Sequence, residues 1–135
     1  APVALASPEG IIGLAHAGRR GRVAGVVDAT ASAMRALGAS SIDAALGPCI
    51  HAECYEFSEA DLAVVAERLG PTVRAATADG RPALDVPAAV ASACDLGGVR
   101  LVETSDRCTA CDGDGYFSHR ARAEPERQAL VMWLP

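Results

Sequence analysis

The sequence predicts an α/β fold in which mixed β-sheets are flanked by helices. Short apolar runs alternate with segments of helical periodicity, as in sheets whose strands are joined by helices. Some neighbouring runs are instead joined by tight turn sequences that are typical of antiparallel hairpins. The chain has 135 residues, of which 50% are hydrophobic, so one domain with a sizeable core is expected. These observations together favour a mixed sheet rather than a purely parallel one.

The first predicted elements are two strands, at residues 3–6 and 11–16. They are joined by Ser7-Pro8-Glu9-Gly10, which has proline and glycine where a hairpin turn favours them. Both strands are nearly all apolar, so we expect both of their faces to be covered. The chain opens directly in a strand without an initiator Met, and we expect it to be part of a longer protein.

A helix is predicted next, over residues 23–37, where apolar side chains recur at helical spacing. Gly38 is its expected C-terminal stop. A short strand at 42–46 then leads into a loop at 47–57 that is dense in polar and reactive side chains. Ser58 resembles an N-cap, so a second helix is expected to run from there to about Leu69.

The second half of the chain continues the alternation. Residues 72–83 predict a mobile or hairpin-like loop, and Asp85 and Pro87 introduce a helix over about 88–96. A strand is predicted at 99–104, then a loop containing Cys108 and Cys111, and a final apolar strand at 129–134. No internal repeat is present.

Composition limits the function classes. The formal net charge is −5, which argues against a general nucleic-acid binder. All 12 basic residues are arginines, which bind planar anions with two parallel hydrogen bonds. The five cysteines are odd in number, so reduced thiols are expected. No apolar run approaches the roughly 20 residues of a membrane span, and no export signal is present, so a cytoplasmic protein is expected.

The strongest candidate for a site is the strand-to-helix junction His16-Ala17-Gly18-Arg19-Arg20-Gly21. Its glycines permit close approach of a ligand, and the N-terminus of the following helix suits an anion. Histidine can bind a metal or transfer a proton near neutral pH. A tight turn with solvated arginines explains the same residues equally well.

The cysteine-containing loops allow weaker interpretations. Cys108-x-x-Cys111 could bind zinc or act in redox chemistry, but no second such pair or nearby pair of histidines accompanies it. Cys49 or Cys54 could be a nucleophile if His16 lowered its pKa, although a small buried apolar residue is the simpler explanation of each. The acidic stretch 112–115 lacks the later ligands of a calcium loop.

Four motifs, in order along the chain, resemble the laccase-domain family, which is also called the multicopper polyphenol oxidase or purine nucleoside phosphorylase family and includes peptidoglycan editing factors. The motifs are His16 to Gly21; Gly47-Pro48-Cys49-Ile50 with Cys54-Tyr55-Glu56-Phe57; Cys108-Thr109 with Tyr116-Phe117-Ser118-His119-Arg120; and Arg127-Gln128-Ala129. The resemblance covers nearly the whole chain but implies that it matches the C-terminal part of longer proteins. The family has tryptophan where this chain has Arg19.

The resemblance implies a metal, zinc with copper as the alternative, that is held by two histidines and a cysteine. His16 matches one histidine, and the other two ligands are expected upstream of Ala1. His16 and Arg20 are then the expected catalytic residues, with Arg20 on phosphate. The expected substrate-binding residues are Gly18, Gly47, Cys49, Tyr55, His119 and Arg120.

The activity that the resemblance implies is phosphorolysis of purine nucleosides, with adenosine deamination as an associated activity. The expected partners are a purine nucleoside and phosphate, with no nucleic acid and no membrane, and the oligomeric state is left open. One alternative is an amidase that edits peptidoglycan precursors at the same cleft. Another is an inactive or partner-binding domain, because this chain lacks two of the implied ligands. Oxidation of phenols would need several histidine-rich copper sites, and three histidines cannot supply them.

Overall fold

The structure, a computed structural model, describes residues 1–18 and 25–134. The strands of the described residues are β1 (Pro2–Ala6), β2 (Ile12–His16), β3 (Asp43–Leu46), β4 (Arg74–Ala76), β5 (Pro82–Leu84) and β6 (Arg100–Thr104). The helices of the same residues are α1 (Val26–Ala36), α2 (Glu59–Leu69), α3 (Val86–Leu96) and α4 (His119–Arg122). Single 3-10 turns lie at Ala52–Cys54 and Pro71–Val73. The predicted start of the first helix, at residue 23, lies outside the described residues.

Four strands form a mixed sheet in the order β2-β1-β3-β6. β1 pairs antiparallel with β2 and with β3, whereas β3 and β6 are parallel. The predicted α/β class, with a mixed sheet and flanking helices, is therefore confirmed. This order brings the C-terminal ends of β2, β3 and β6 to the same end of the sheet as the N-terminal end of β1.

One face of this sheet forms the core with α1 and α3. Val3 and Leu5 of β1 are fully buried there, and Leu46 of β3 is 2% exposed. The opposite face is open, since Leu14 is 46% exposed and His16 is also exposed. The expectation that both faces of the first two strands are covered is wrong for the described chain. β2 is an edge strand, and the register places Leu14 opposite Ala4, on the face away from the helices.

Helix ends follow the predicted signals. Gly38, directly after the C-cap of α1, has a φ of 108°, which only glycine adopts without strain. The Ser58 hydroxyl accepts a hydrogen bond from the Asp61 N–H at 3.1 Å, as an N-cap does. The Asp85 carboxylate caps α3 in the same way, at 2.9 Å from the Ala88 nitrogen. α3 begins two residues earlier than predicted because proline fits the first turn of a helix, where its missing N–H costs nothing.

The segment predicted as a mobile or hairpin-like loop is a hairpin. β4 and β5 pair antiparallel across a turn that includes Gly80, whose φ is 83°. Thr77, which is 8% exposed, organises this turn. Its hydroxyl donates to the Asp79 carboxylate and accepts from the Arg81 N–H at 2.9 Å. The hairpin contacts the loop after β3, where the Phe57 N–H donates to the Pro82 carbonyl at 2.9 Å.

The final predicted strand, at 129–134, is wrong. The structure has neither helix nor strand in residues 123–134. Val131 and Trp133 are 68% and 77% exposed, so the apolar run is not covered by other described residues. An apolar run favours a strand only where a neighbouring strand can pair with its backbone. The short helix α4 was not expected either. None of the described helices combines the length and the apolar character that crossing a membrane requires.

Candidate active site and a neighbouring thiol cluster

A cavity of about 360 Å³ lies at the end of the sheet where β2, β3 and β6 terminate. Crevices at the carboxyl ends of strands are common places for ligands in α/β sheets. Its lining comes from chain segments that are far apart in sequence. The lining residues are Ala1, Pro2, His16, Pro48, Cys49, Ile50, Thr109, Tyr116, Phe117, Ser118, His119, Arg120, Arg127, Gln128, Ala129 and Leu130.

Two loops on one side of this cavity continue the pairing of the parallel strands β3 and β6. The Ser105 N–H donates to the Leu46 carbonyl at 2.9 Å, one residue beyond the end of β6. Cys49, in the loop after β3, then forms two hydrogen bonds with the loop after β6. Its N–H donates to the Arg107 carbonyl at 3.3 Å, and its carbonyl accepts from the Thr109 N–H at 3.0 Å. Cys49 is thus fixed in position, 4% exposed, in the cavity wall.

His16 lies at the end of β2 on the open side of the sheet, opposite Pro2 in the register. The chain beyond it is fixed by the N-terminus, because the Ala17 N–H donates to the Ala1 carbonyl at 2.8 Å. Gly18 packs against the imidazole so closely that an added Cβ would lie 2.9 Å from its Nε2 atom. Gly47 supports the same corner, since its N–H donates to the Pro2 carbonyl at 3.0 Å.

His119 and Arg120 enter the cavity from α4. The Nδ1 atom of His119 is 3.2 Å from the Glu124 carbonyl, which can only accept, so Nδ1 is assigned the proton. The Nε2 atom is then the acceptor in the neutral ring. The Arg120 guanidinium lies over the Tyr55 ring, 5.2 Å from its centroid. Tyr55 itself is buried and supports Arg120 rather than lining the cavity.

Arg122 holds this region together. Its guanidinium donates to the Ala110 carbonyl at 2.9 Å, to the Tyr116 carbonyl at 2.6 Å and to the Glu124 carboxylate at 2.9 Å. The hydrogen bond from Arg122 lowers the pKa of Glu124, so the pair is ionised at neutral pH. Glu124 in turn accepts from the Ser118 N–H at 2.6 Å. One arginine therefore fixes the backbone that presents His119 and Arg120.

The loops after β3 and β6 also bring three thiols and a carboxylate together outside the cavity. The ligating atoms of Glu53, Cys54, Cys108 and Cys111 all lie within 4.8 Å of one another. Burial opposes ionisation of Cys108, but N–H donors from the backbone of His51, Cys111 and Ala110 outweigh it and lower the pKa of this thiol. Burial together with contacts to the other two thiols raises the pKa of Cys54 to about 12. This cluster is called the thiol cluster below.

The structure brings four of the predicted site residues, His16, Cys49, His119 and Arg120, to one cavity. Three more do not line the cavity but contact residues that do: Gly18 contacts His16, Gly47 contacts Pro2, and Tyr55 contacts Arg120. Arg19 and Arg20 lie outside the described residues. Within the described part of the chain, the thiol cluster is the one group of three or more metal-ligating side chains, and His16 is not part of it. Cys54 lies in that cluster, and its raised pKa is unfavourable for a nucleophile.

Sequence reasoning missed the thiol cluster and Arg122. The sequence interpretation left Cys108 and Cys111 without partners, whereas the fold brings Glu53 and Cys54 to them from a loop more than fifty residues away. A usable signal was present, because Cys-containing segments follow both predicted strands 42–46 and 99–104, and parallel strands end at the same edge. Nothing in the sequence distinguished Arg122 from the other arginines.

Comparison with known proteins identifies relatives over the whole chain. The family model described as multi-copper polyphenol oxidoreductase laccase matches residues 1–135. Proteins named purine nucleoside phosphorylase from Streptomyces griseus and Streptomyces coelicolor are each 43% identical over 136 residues, which is 98% of this chain and 54% and 55% of those proteins. The chain thus spans about half the length of these relatives. A Neisseria meningitidis protein of known crystal structure has a TM-score of 0.76 at 27% identity, over 89% of this chain and 50% of that one.

Proposed function

The chain belongs to the multi-copper polyphenol oxidoreductase laccase family, and we propose that it is the C-terminal part of a purine nucleoside phosphorylase. The observation that carries the proposal is the set of relatives with that name, 36–43% identical over nearly all of this chain. The cavity supports it, because it combines aromatic and cationic side chains in one pocket of suitable size. The proposed partners are a purine nucleoside and phosphate.

The reaction transfers a ribosyl group. A phosphate oxygen forms a bond to the anomeric carbon of the ribose while the bond from that carbon to the purine nitrogen breaks. The products are ribose 1-phosphate and the free base, which takes up a proton as it leaves. An enzyme for this reaction needs a cation for the phosphate, a surface for the base and an acid near the leaving nitrogen.

Arg120 supplies the cation in this proposal. Its guanidinium over the Tyr55 ring is held by a cation–π contact, which leaves the N–H groups at its rim for an anion. Phe117, 45% exposed at the cavity wall, offers a face on which a purine can stack. His119 is the proposed acid, because its Nδ1 atom is held by the Glu124 carbonyl and Nε2 is the atom that can gain and deliver a proton.

The metal implied by the resemblance does not fit the described residues on their own. The three-ligand site expected at His16 would need two further ligands, and no group of three ligating side chains among residues 1–18 and 25–134 includes His16. We therefore derive no reaction step through a metal at this place. His16 and Arg20 remain proposed catalytic residues.

The proposal is tested by incubating the full-length protein with inosine, with and without phosphate, and measuring free hypoxanthine by chromatography. We expect release of base that depends on phosphate. Arg120→Gln should raise the KM for phosphate, and Phe117→Ala should raise the KM for the nucleoside. Arg74→Gln is the matched control, since Arg74 is paired with Glu59 at 2.9 Å and is not a cavity residue. Absence of base release by the wild-type protein would refute the proposal.

An associated adenosine deaminase activity is part of the proposal. In that reaction water replaces the amino group of adenosine, which yields inosine and ammonia. The same cavity would serve, because the two reactions share the nucleoside. Incubation with adenosine in phosphate-free buffer separates them, since deamination then continues while phosphorolysis stops. Formation of ammonia without free base is expected, and absence of ammonia would remove this second activity.

A further inference from the structure

We propose that the thiol cluster binds one Zn²⁺ ion as a closed structural site, with the thiolates of Cys54, Cys108 and Cys111 and the carboxylate of Glu53 as its four ligands. The inference is independent of the proposed function, because none of these four residues lines the cavity of about 360 Å³ at the end of the sheet. The site would join the loop after β3 to the loop after β6. Both loops also contribute residues to the lining of that cavity, such as Cys49 and Thr109.

The spacing of the donor atoms suits a small tetrahedral ion. Zinc–sulfur bonds of about 2.3 Å in a tetrahedron separate the sulfur atoms by roughly 3.8 Å. In the thiol cluster all four donor atoms lie within 4.8 Å of one another, and the sulfurs of Cys54 and Cys111 are 3.3 Å apart. Small movements of the side chains, of which those of Glu53 and Cys111 are exposed, would therefore bring all four donors to one ion.

The backbone around Cys108 is built to hold a thiolate. The Asp112 N–H donates to the Cys108 carbonyl at 3.0 Å and closes the turn that places both sulfurs of Cys108-x-x-Cys111 on one side. The His51 N–H points at the Cys108 sulfur at 3.4 Å. Such donors stabilise a metal-bound thiolate by neutralising part of its charge. Since the His51 N–H comes from the other loop, it also aligns the two halves of the cluster.

Electrostatics indicates that a cation belongs between these groups. Four groups that are anionic as metal ligands converge on one point, and a cation between them would relieve their mutual repulsion. Zn²⁺ binding would displace the remaining thiol protons to solvent and relieve the repulsion. Thiolate-rich tetrahedral donors select zinc over the hard cations magnesium and calcium. Four protein ligands leave no open position for water, so the site is structural and not catalytic.

The test uses the full-length protein, purified anaerobically, stripped with a chelator and titrated with Co²⁺ as a spectroscopic substitute for Zn²⁺. We expect a sulfur-to-cobalt charge-transfer band of the intensity of a three-thiolate site, which Zn²⁺ abolishes. Cys111→Ala should reduce the intensity by about one third and weaken binding at least tenfold. His16→Ala should leave the band unchanged, so that a metal at the proposed active site is not mistaken for this one.

Cys94→Ala is the matched control. Cys94 is a fully buried thiol of α3 outside the cluster, and burial raises its pKa to about 11, so its removal should not affect the band. Zn²⁺ should raise the melting temperature of the wild type and of Cys94→Ala but not that of Cys111→Ala. The proposal is overturned if the wild-type band is absent, if Cys111→Ala retains it in full, or if the anaerobic protein carries a Cys54–Cys111 disulfide.

Discussion

Replacing Leu5 by alanine should destabilise this chain far more than replacing Leu14 by alanine. Both are strand leucines on neighbouring, paired strands, but they lie on opposite faces of the sheet. Leu5 is fully buried against the helices, whereas Leu14 is 46% exposed. The two substitutions remove the same atoms, so the difference between them measures which face of the sheet forms the core.

The magnitudes follow from burial. Alanine at position 5 loses the transfer free energy of the buried side chain and leaves a cavity, which together cost about 3–4 kcal/mol. Alanine at position 14 loses roughly half of the transfer term and leaves no closed cavity, so about 1 kcal/mol is expected. For a domain of this size the first value lowers Tm by roughly 10 °C.

Urea unfolding of the 135-residue chain, followed by far-ultraviolet circular dichroism, measures both values. Trp133 is 77% exposed and would report poorly on unfolding by fluorescence, so the backbone signal is preferable. Unchanged slopes against urea would show that the variants differ in stability and not in the compactness of either state. Equal losses at the two positions, or a larger loss at position 14, would refute the assignment of the faces.

Three further predictions concern helix α3, the first hairpin and the cavity loops. Asp85→Ala should lower the free energy of unfolding by about 1 kcal/mol while Asp85→Asn keeps most of it, because asparagine also caps a helix; equal losses in urea unfolding would contradict this. The Ser40 hydroxyl is the main cause that lowers the pKa of Glu9 from 4.5 to about 2. The pKa of Glu9 is thus lower in the folded than in the unfolded state. The loss of stability caused by Ser40→Ala should therefore be greatest above about pH 4.5 and should vanish as the pH falls towards 2. A loss of stability that does not depend on pH would contradict the contact. If the full-length protein has the proposed activity, Arg122→Ala should reduce kcat/KM for the nucleoside on the order of 10- to 100-fold, because the loop that presents His119 and Arg120 loses its anchor. Arg74→Gln is the control, and unchanged kinetics in Arg122→Ala would show that the loop is held by other contacts.

Local signals in the sequence predicted most of the elements because the chemistry that ends a helix or turns a strand is contained in a few adjacent residues. For example, the first helix ends just before Gly38, and the next two helices begin at the N-caps Ser58 and Asp85. The hairpin of β4 and β5 was predicted as one of two alternatives. The failures concern pairing and coverage, which depend on distant residues. The run at 129–134 is apolar enough for a strand but has no strand pairing in the structure.

The candidate site was predictable in part for the same reason. The resemblance of the motifs predicts four site residues that line one cavity in the structure: His16, Cys49, His119 and Arg120. The thiol cluster could not be found from spacing alone, because Glu53 and Cys54 reach Cys108 and Cys111 only through the parallel pairing of β3 with β6. Arg122 acts on backbone carbonyls, and such contacts leave no motif in a sequence.

The proposed transfer of ribose from a purine to phosphate by the full-length protein can be tested by identifying the sugar product. The full-length protein would be incubated with inosine and phosphate, and ribose 1-phosphate and hypoxanthine would be quantified in the same sample. We expect equal amounts of the two products. Hypoxanthine accompanied by free ribose would mean hydrolysis and would refute the proposed phosphorolysis.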